Sequence, residues 1–548
     1  MLMLMREKIK QIIQTAMGPA SAEFNFDLTY PDAKFGDYAT NAALVWAKLS
    51  KQKPQDVAKN LIEKMDKAMF ETVEIAGPGF INFRLKNNEL LTQPSALNPQ
   101  RSEKILLEYF QPNIAKPLHI GHLETAVIGD AIKRMLLFVG EKVESDTHMG
   151  DWGTQFGFLI LAVKKFGKVN EKIYAQLNQE AEKDPSIHES AKQEFVKLEQ
   201  GDQENRKIWQ DLVEDSVKQF LQINQLMDIL PFDHHWPESF YEDKMPGVLT
   251  ELESKDILQT GERGARIVNL EQQKLGIAVI VKSDGGTTYL LRDLATFIFA
   301  QKEGFKKHLY VVDNRQSHHY KQLFAILHRM EKIEEGEGAH IDYGFVSFKG
   351  EALSTRKGNM ILALDVIAQA EEKVAQVIAE KNPDLKDKQG VIKAVTKGAL
   401  KYFILKHNRH SDIEFSWEEV LDFEGNSGPY LQYAYARLSS ILKKSQITNP
   451  KFQINPKSQI SNTERELLFK LSILSEIVDD TLADYLPNIL ANYLYNLAGL
   501  INKFYHESHI LSEKDQTVKN FRLALIAKAK NTLGKGLELL GIQALEEM

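Results

Sequence analysis

The pattern of hydrophobic and polar positions changes twice along the chain. Residues 1–90 combine helical apolar spacing at 41–49 and 57–65 with two short strand-like runs at 73–75 and 80–83. From residue 103, buried-strand runs alternate with loops and helices, which is typical of a parallel α/β sheet. From about 391 onward apolar residues recur at the helical period, apart from a polar link near 445–460. The pattern therefore predicts an α+β region, a parallel-sheet region and an all-helical region.

The middle region carries five segments that we predict as strands of one parallel sheet. They are 104–109, 142–147, 278–281, 308–313 and 341–346. A long, charged and mainly helical stretch at about 168–265 is interpreted as an insertion into this region. With 548 residues, at roughly 100–200 per domain, we expect three domains, at 1–90, 91–390 and 391–548.

Composition narrows the class of protein. A hydrophobic share of 43% and a charged share of 26% are ordinary for a globular chain. The absence of Cys excludes disulfides, thiolate zinc sites and cysteine nucleophiles. Apolar runs fall short of the roughly 18 residues that a membrane span needs, and the opening segment is too quickly charged for a signal peptide. We expect a cytoplasmic, monomeric protein.

The net charge of −7 is unevenly distributed, because residues 101–424 carry −10 while the two ends carry +1 and +2. Such ends suit a polyanion and such a centre suits a cationic substrate, although ordinary variation explains the difference equally well.

One motif indicates chemistry. A predicted strand at 104–110 leads through the loop 111–117 into His119-Ile120-Gly121-His122, and then into a helix that ends near Val139. The amino end of such a helix presents free backbone N–H groups and a positive dipole end, where a phosphate can bind. The two His side chains would supply neutral donors, and Gly121 would allow close approach to the backbone. The alternative is a pair of capping or surface histidines.

The same residues carry a resemblance to a known family. The run Glu-Tyr-Phe-Gln-Pro-Asn-Ile-Ala-Lys-Pro-Leu-His-Ile-Gly-His-Leu at 108–123 resembles the signature block of class I arginyl-tRNA synthetases. Gly-Asp-Trp-Gly at 150–153 resembles a second block, and supporting stretches lie at 35–38, 75–82, 425–433 and 539–542. The resemblance covers the whole chain. It implies a Rossmann-type catalytic domain with a helical insertion, an N-terminal α+β domain that contacts the tRNA elbow, and a C-terminal helical anticodon-binding domain.

The implied activity is ATP-dependent ligation of L-arginine to tRNA(Arg) through an arginyl-adenylate, with Mg²⁺ bridging the ATP phosphates. By this resemblance the catalytic residues are Lys116, His119 and His122. The implied ATP-binding residues are His119, Gly121, His122, Ser354, Arg356 and Lys357. Thr355 stands where many class I enzymes have a catalytic Lys, and Lys116 is expected to substitute for it.

Recognition of a guanidinium requires acceptors, since arginine offers only donors. The resemblance implies an arginine-binding set of Glu108, Asn113, Tyr289, Asp293 and Gln316. From spacing alone, Asp293 could equally pair with Arg292, and Gln316 could be an ordinary loop residue.

Neither His318-His319 nor the run 407–410 has a zinc-ligand spacing, so we expect no metal site.

Two other functions stay open: a related class I ligase or adenylyltransferase that uses another acid, and an inactive relative that only binds tRNA. Glu124, in the first turn after the His pair, departs from the family pattern and would repel phosphates if it faced them. For tRNA, the C-terminal helices offer aromatic and basic side chains without assigning individual contacts. These are Tyr430, Tyr433, Tyr435, Tyr493, Tyr495, Tyr505, Arg437, Lys443 and Lys444.

Overall fold

The structure is a computed structural model that describes residues 3–18, 25–91, 103–169, 171–348, 362–446 and 460–548. Its N-terminal part is a four-stranded antiparallel sheet, in the order β1-β2-β4-β3, with helices packed on it. The elements are α1 (Met5–Met17), β1 (Leu28–Thr29), β2 (Tyr38–Thr40), α2 (Ala42–Ser50), α3 (Pro54–Lys64), β3 (Phe70–Ala76), β4 (Phe80–Leu85) and α4 (Asn87–Leu91). The two predicted helices and the predicted strand pair of this part are confirmed.

A four-stranded parallel sheet lies at the centre, in the order β11-β10-β5-β6. Its strands and the helices that connect them are β5 (Lys104–Glu108), α5 (Ile120–Phe138), β6 (Lys142–Asp146), α11 (Tyr289–Lys302), β10 (Phe305–Asp313), α12 (Ser317–Arg329) and β11 (Gly338–Tyr343). The chain moves outward from β5 to β6 and later returns to place β10 on the other side of β5. The carboxyl ends of β5 and β10 therefore flank a topological switch point, where open α/β sheets bind ligands.

Four of the five predicted strands overlap strands of this sheet, and the assignment of the fifth was wrong. The segment 278–281 belongs to β9 (Ile277–Val281), which pairs with β7 (Gln259–Thr260) and β8 (Arg266–Asn269) in a separate antiparallel sheet. Ile277 and Val279 are exposed at 53% and 40%, so only one face of this apolar strand is buried. The uninterrupted apolar composition had suggested burial on both faces.

Between β6 and β7 the chain is helical, as the charged stretch at 168–265 predicted. The helices are α6 (Gln155–Phe166), α7 (Glu171–Lys183), α8 (Pro185–Glu199), α9 (Gln203–Leu226) and α10 (Met245–Ser254).

The last part of the chain is mainly helical and includes one short parallel strand pair, β12 (Val346–Phe348) and β13 (Ile413–Phe415). Its helices are α13 (Ala363–Lys381), α14 (Lys388–Leu405), α15 (Trp417–Val420), α16 (Gly428–Ser445), α17 (Asn462–Ser472), α18 (Leu474–Ala483), α19 (Pro487–Glu507) and α20 (Gln516–Leu539). Strand β12 comes before α13, and β13 lies between α14 and α15. Within the described ranges, no helix combines the length and the hydropathy of a bilayer span.

One continuous apolar core connects the N-terminal sheet, the central sheet around α5, and the C-terminal helices. Two buried polar contacts reinforce it. Asp37 accepts two hydrogen bonds from the guanidinium of Arg465, at 2.9 and 2.8 Å. Lys401, fully buried on α14, donates to Asp130 of α5 at 3.4 Å and to the carbonyl of Gly541 at 2.8 Å. Helix α5 is thus anchored to the C-terminal bundle by more than apolar packing.

Candidate active site

The His pair lies at the amino end of α5, beside the switch point. His119 is the N-cap residue of α5, and its Nδ1 accepts a hydrogen bond from the backbone N–H of Gly121 at 3.1 Å. The backbone N–H of His119 in turn donates to Nδ1 of His122 at 3.2 Å, and the ring centroids are 3.9 Å apart. Because each Nδ1 accepts, each ring must carry its proton on Nε2. Capping and donor presentation are therefore compatible roles for these two residues.

Both imidazoles are neutral at physiological pH. Burial, helped by the positive charges of Arg315 and Lys116, lowers the pKa of His119 to about 4. Burial together with His119 and Lys116 lowers the pKa of His122 to about 3. Two neutral N–H donors next to a helix amino end are suited to an anion that brings its own charge.

The loop from β5 to α5 is strained and firmly held. Phe110 and Ala115 adopt left-handed φ values of 60° and 59°, which side chains of this kind rarely occupy. The loop pairs with the segment around Gly150, whose carbonyl accepts from Ile114 N–H at 3.1 Å. A Cβ at Gly150 would lie 2.5 Å from Oδ1 of Asn113, so a side chain there would displace the Asn113 amide.

Lys116 is exposed in the same loop, and its positive charge contributes to the lowered pKa of both imidazoles. A Cβ at Gly121 would lie 3.0 Å from the His119 ring, so this glycine leaves room for the capping imidazole. The remaining predicted ATP-binding residues, Ser354, Arg356 and Lys357, lie outside the described residues.

Glu124 is buried at 2% exposure rather than turned to solvent. Burial, together with Asp313 and Asp412, raises its pKa well above the usual range. Burial therefore favours the uncharged form of this carboxyl near the His pair.

Among the residues predicted to bind arginine, Glu108 ends strand β5 at 2% exposure. Its Oε1 accepts from Nε2 of Gln111 at 2.6 Å. Burial, opposed by His148 and reinforced by Asp146 and Asp293, raises its pKa to about 8. A cation that binds next to this carboxyl would stabilise its ionised form.

Asp293 does not pair with Arg292. Arg292 is held by Glu238 at 3.4 Å and Glu242 at 3.2 Å, whereas Oδ2 of Asp293 contacts Nε2 of His319 at 2.5 Å. That contact outweighs the effect of burial and raises the pKa of His319.

The other members of the predicted arginine-binding set are less tightly grouped. Helix α11 begins at Tyr289, so Tyr289 and Asp293 lie one turn apart as predicted, and Tyr289 is 61% exposed. Gln316 is exposed just before α12, one turn ahead of His319. Nε2 of Gln155 lies 3.5 Å from Oδ1 of Asn113, the oxygen that also faces Gly150.

Sequence reasoning missed three buried polar residues in this pocket, Asp146, His148 and His308. Glu108 and Asp146 are register partners at the carboxyl ends of adjacent parallel strands. One oxygen or nitrogen atom from each of Glu108, Asp146 and His148 lies within 4.8 Å of the others. The signal was available, because carboxyl ends of parallel strands meet at one edge of a sheet.

The C-terminal bundle presents an aromatic and basic face formed by α16 and α19. Tyr433 and Tyr505 are exposed at 43% and 40%. The guanidinium of Arg437 lies 4.9 Å from the Tyr433 ring centroid and 5.9 Å from that of Tyr505. Tyr493, by contrast, is buried at 6% and belongs to the core.

Three family models match the chain. The arginyl tRNA synthetase N terminal domain matches residues 3–85 and the catalytic domain of tRNA synthetases class I (R) matches 85–417. The DALR anticodon binding domain matches 431–548.

Relatives and solved structures agree with these matches. The chain is 38% identical to an arginine–tRNA ligase of Streptococcus pyogenes, over 96% of each chain. It is 36% identical to an arginine–tRNA ligase of Clostridium kluyveri, over 94% of this chain and 95% of that one. The fold is similar to the arginyl-tRNA synthetases of Thermus thermophilus and Plasmodium falciparum, each with a TM-score of 0.86 and 26% identity. These cover 100% and 99% of both chains, respectively.

Proposed function

The chain belongs to the family of class I arginyl-tRNA synthetases, and we propose that it ligates L-arginine to tRNA(Arg) in two steps at the site described above. In the first step a carboxylate oxygen of arginine attacks the α-phosphorus of ATP, the α–β phosphoanhydride bond breaks, and pyrophosphate leaves. In the second step the terminal 2′-hydroxyl of the tRNA attacks the arginyl carbonyl, and AMP leaves. The observation that carries the proposal is the neutral His pair at the amino end of α5, together with the buried acid Glu108 at the end of the strand that precedes this helix.

His119 and His122 bind the ATP phosphates through their Nε2–H groups. The structure supports this role because the rings are fixed by their Nδ1 hydrogen bonds and need no reorientation when charge develops. Lys116 supplies the positive charge that the neutral imidazoles lack, as an exposed point charge in the same loop. Ser354, Arg356 and Lys357 complete the ATP-binding set of this proposal.

Mg²⁺ would enter with ATP, held by the phosphates and water. The described acidic side chains near the His pair are not suited to hold it. Asp313 accepts hydrogen bonds from Arg315 at 3.0 and 2.8 Å, and burial, which raises the pKa of Glu124, disfavours its ionised form. We therefore assign no protein ligand to the ion.

The amino-acid subsite consists of Glu108, Asn113, Tyr289, Asp293 and Gln316. Its acidic members suit a guanidinium because no Lys or Arg among the described residues forms an ion pair with Glu108 or Asp293. Their recorded ion-pair partners are imidazoles, which compete weakly with a permanent cation.

The aromatic face of α16 and α19 binds unstacked bases of the tRNA. Tyr433 and Tyr505 offer exposed rings with Arg437 between them, and Lys443 and Lys444 are exposed on the last turn of α16. Rings next to guanidinium and ammonium groups suit a splayed single strand.

The test is exchange of radiolabelled pyrophosphate into ATP with each amino acid in turn, with and without tRNA, followed by tRNA charging. Arginine-dependent exchange and charging are expected. Exchange with another amino acid would indicate a different ligase, and no exchange in either condition would indicate a tRNA-binding protein without activity.

An Asp293→Asn variant sharpens this test. It should raise the KM for arginine at least tenfold and leave the KM for ATP within about twofold, because Asp293 lies on the amino-acid side. Equal changes in both constants would contradict that placement. Asp243→Asn is the matched control, because Asp243 is an exposed acid in the same part of the chain that pairs only with Lys244 in the described contacts.

A further inference from the structure

Four buried polar atoms next to the proposed amino-acid subsite have no hydrogen-bond partner among the described residues. They are Oε2 of Glu108, Oδ2 of Asp146, Nδ1 of His148 and Nε2 of His308. All four residues are at most 7% exposed. A buried polar atom without a partner costs about 1–3 kcal/mol, so four at one place call for a physical reason.

Oε2 of Glu108 faces both of the imidazole nitrogens. Oε2 of Glu108 lies 3.3 Å from Nε2 of His308 and 3.8 Å from Nδ1 of His148, but neither contact has hydrogen-bond geometry. The opposite nitrogen of His148, Nε2, lies 4.0 Å from Oδ1 of Asp293. His148 therefore stands between Glu108 and Asp293, and Asp146 closes the group from the neighbouring strand.

The unpartnered atoms of these four side chains are mostly hydrogen-bond acceptors. Glu108 and Asp146 each keep one carboxyl oxygen without a hydrogen-bond partner. Among the described residues Asp146 forms no ion pair, and Glu108 pairs only with imidazoles. A guanidinium carries five N–H donors in a rigid planar fork, and it can bind acceptors on two sides at once.

We propose that Asp146 and His148 are specificity-determining residues that join Glu108 and Asp293 in binding the guanidinium of arginine. Asp146 supplies a third carboxyl acceptor beside Glu108 and Asp293, and His148 fixes the spacing between Glu108 and Asp293 on its two sides. This inference rests on the proposed function, since it concerns the same substrate.

The test compares Asp146→Asn and His148→Gln with the wild-type enzyme in tRNA charging. Asp146→Asn keeps Oδ1, which accepts from the backbone of Trp236 at 2.8 Å, so the fold should persist. The KM for arginine should rise at least tenfold in Asp146→Asn and severalfold in His148→Gln. The KM for ATP and the kcat should stay within about twofold.

Glu144→Gln is the matched control. Glu144 lies two residues earlier on the same strand, but its carboxylate is only half-buried and pairs with Lys104 and His234. Its arginine KM should be unchanged. Thermal melts of all variants separate a loss of binding from a loss of fold.

Two results would overturn the inference. The first is an unchanged arginine KM in Asp146→Asn and in His148→Gln. The second is a stoichiometric divalent metal in the purified wild-type protein, measured by elemental mass spectrometry, that Asp146→Asn removes. If the wild-type enzyme still charges arginine, either result leaves the proposed function intact. A wild type that fails to charge arginine would instead contradict the proposed function itself.

His148→Gln also controls for misfolding of Asp146→Asn, because it leaves the hydrogen bond between Asp146 and the backbone of Trp236 unchanged.

Discussion

The affinity for arginine should depend steeply on pH, because the carboxyl of Glu108 is protonated in the free enzyme at neutral pH. Burial raises its pKa to about 8, and the groups that act on it are His148, Asp146, Asp293 and Gln111. Only the ionised carboxylate pairs with a guanidinium, which keeps its charge at every pH of interest. Binding should therefore strengthen as pH rises toward about 8 and gain at most about another twofold above it.

The magnitude follows from the ionised fraction. With a pKa of about 8, roughly one carboxyl in a hundred is ionised at pH 6 and about half at pH 8, so the Kd for arginine should fall on the order of 50-fold between these values. Each pH unit below the pKa corresponds to about 1.4 kcal/mol. Asp146, whose pKa burial raises to about 6, adds at most about twofold within this window.

Isothermal titration calorimetry in buffers of different ionisation enthalpy measures both the Kd and the proton released on binding. Glu108→Gln should flatten the pH dependence and bind arginine weakly at pH 8. Glu238→Gln is the control, because burial also raises the pKa of Glu238 to about 8, but its carboxylate is committed to Arg292. The reasoning is refuted if the wild-type Kd is constant between pH 6 and 8, or if Glu108→Gln keeps the slope.

Three further predictions concern other parts of the molecule. His122→Ala should slow adenylate formation at least tenfold, about 1.4 kcal/mol of transition-state stabilisation, in single-turnover assays; a rate near wild type would exclude this ring from the chemistry. Lys401→Met should lower the free energy of unfolding by about 3–5 kcal/mol in urea titrations, because it removes the buried ammonium and leaves the buried carboxylate of Asp130 with Arg134 and the backbone N–H of Leu230; a loss below about 1 kcal/mol would contradict this. Tyr433→Ala should raise the KM for tRNA by about 5–30-fold and leave the KM for arginine unchanged, whereas an equal rise in both would contradict a base-stacking role.

The local elements could be predicted where a period was long enough to detect. Helix α5 was placed within one or two residues by its apolar spacing and by Gly140, which has a φ of +85° after the helix. The strands of two to four residues, such as β7 and β12, were missed because a period of two cannot be recognised over so few positions.

The pocket could be predicted only in part, because its members are distant in sequence. Glu108 and Asn113 lie close to the His motif in sequence. The register of neighbouring strands brings Asp146 and His308 next to Glu108, and the packing of α12 brings His319 to Asp293. Burial also decides chemistry that composition does not reveal. From sequence alone Glu124 is expected to carry a charge that repels phosphates, yet burial at 2% exposure raises its pKa and disfavours that charge.

Helix α5 joins the parts of the molecule that the reaction requires. Its first turn carries the His pair, and the hydroxyl of Thr125 donates to the carbonyl of Val311 on β10 at 3.1 Å. Two turns later Asp130 meets Lys401 of the C-terminal bundle. A Cβ at Gly541, where φ is +67°, would lie 2.7 Å from both Oδ2 of Asp130 and Nζ of Lys401, so close packing at this junction requires glycine. Helix α5 is continuous and contains no proline, so a shift at one end of the helix also moves the other end. The position of the imidazoles therefore depends on the contacts of α5 with both the sheet and the bundle.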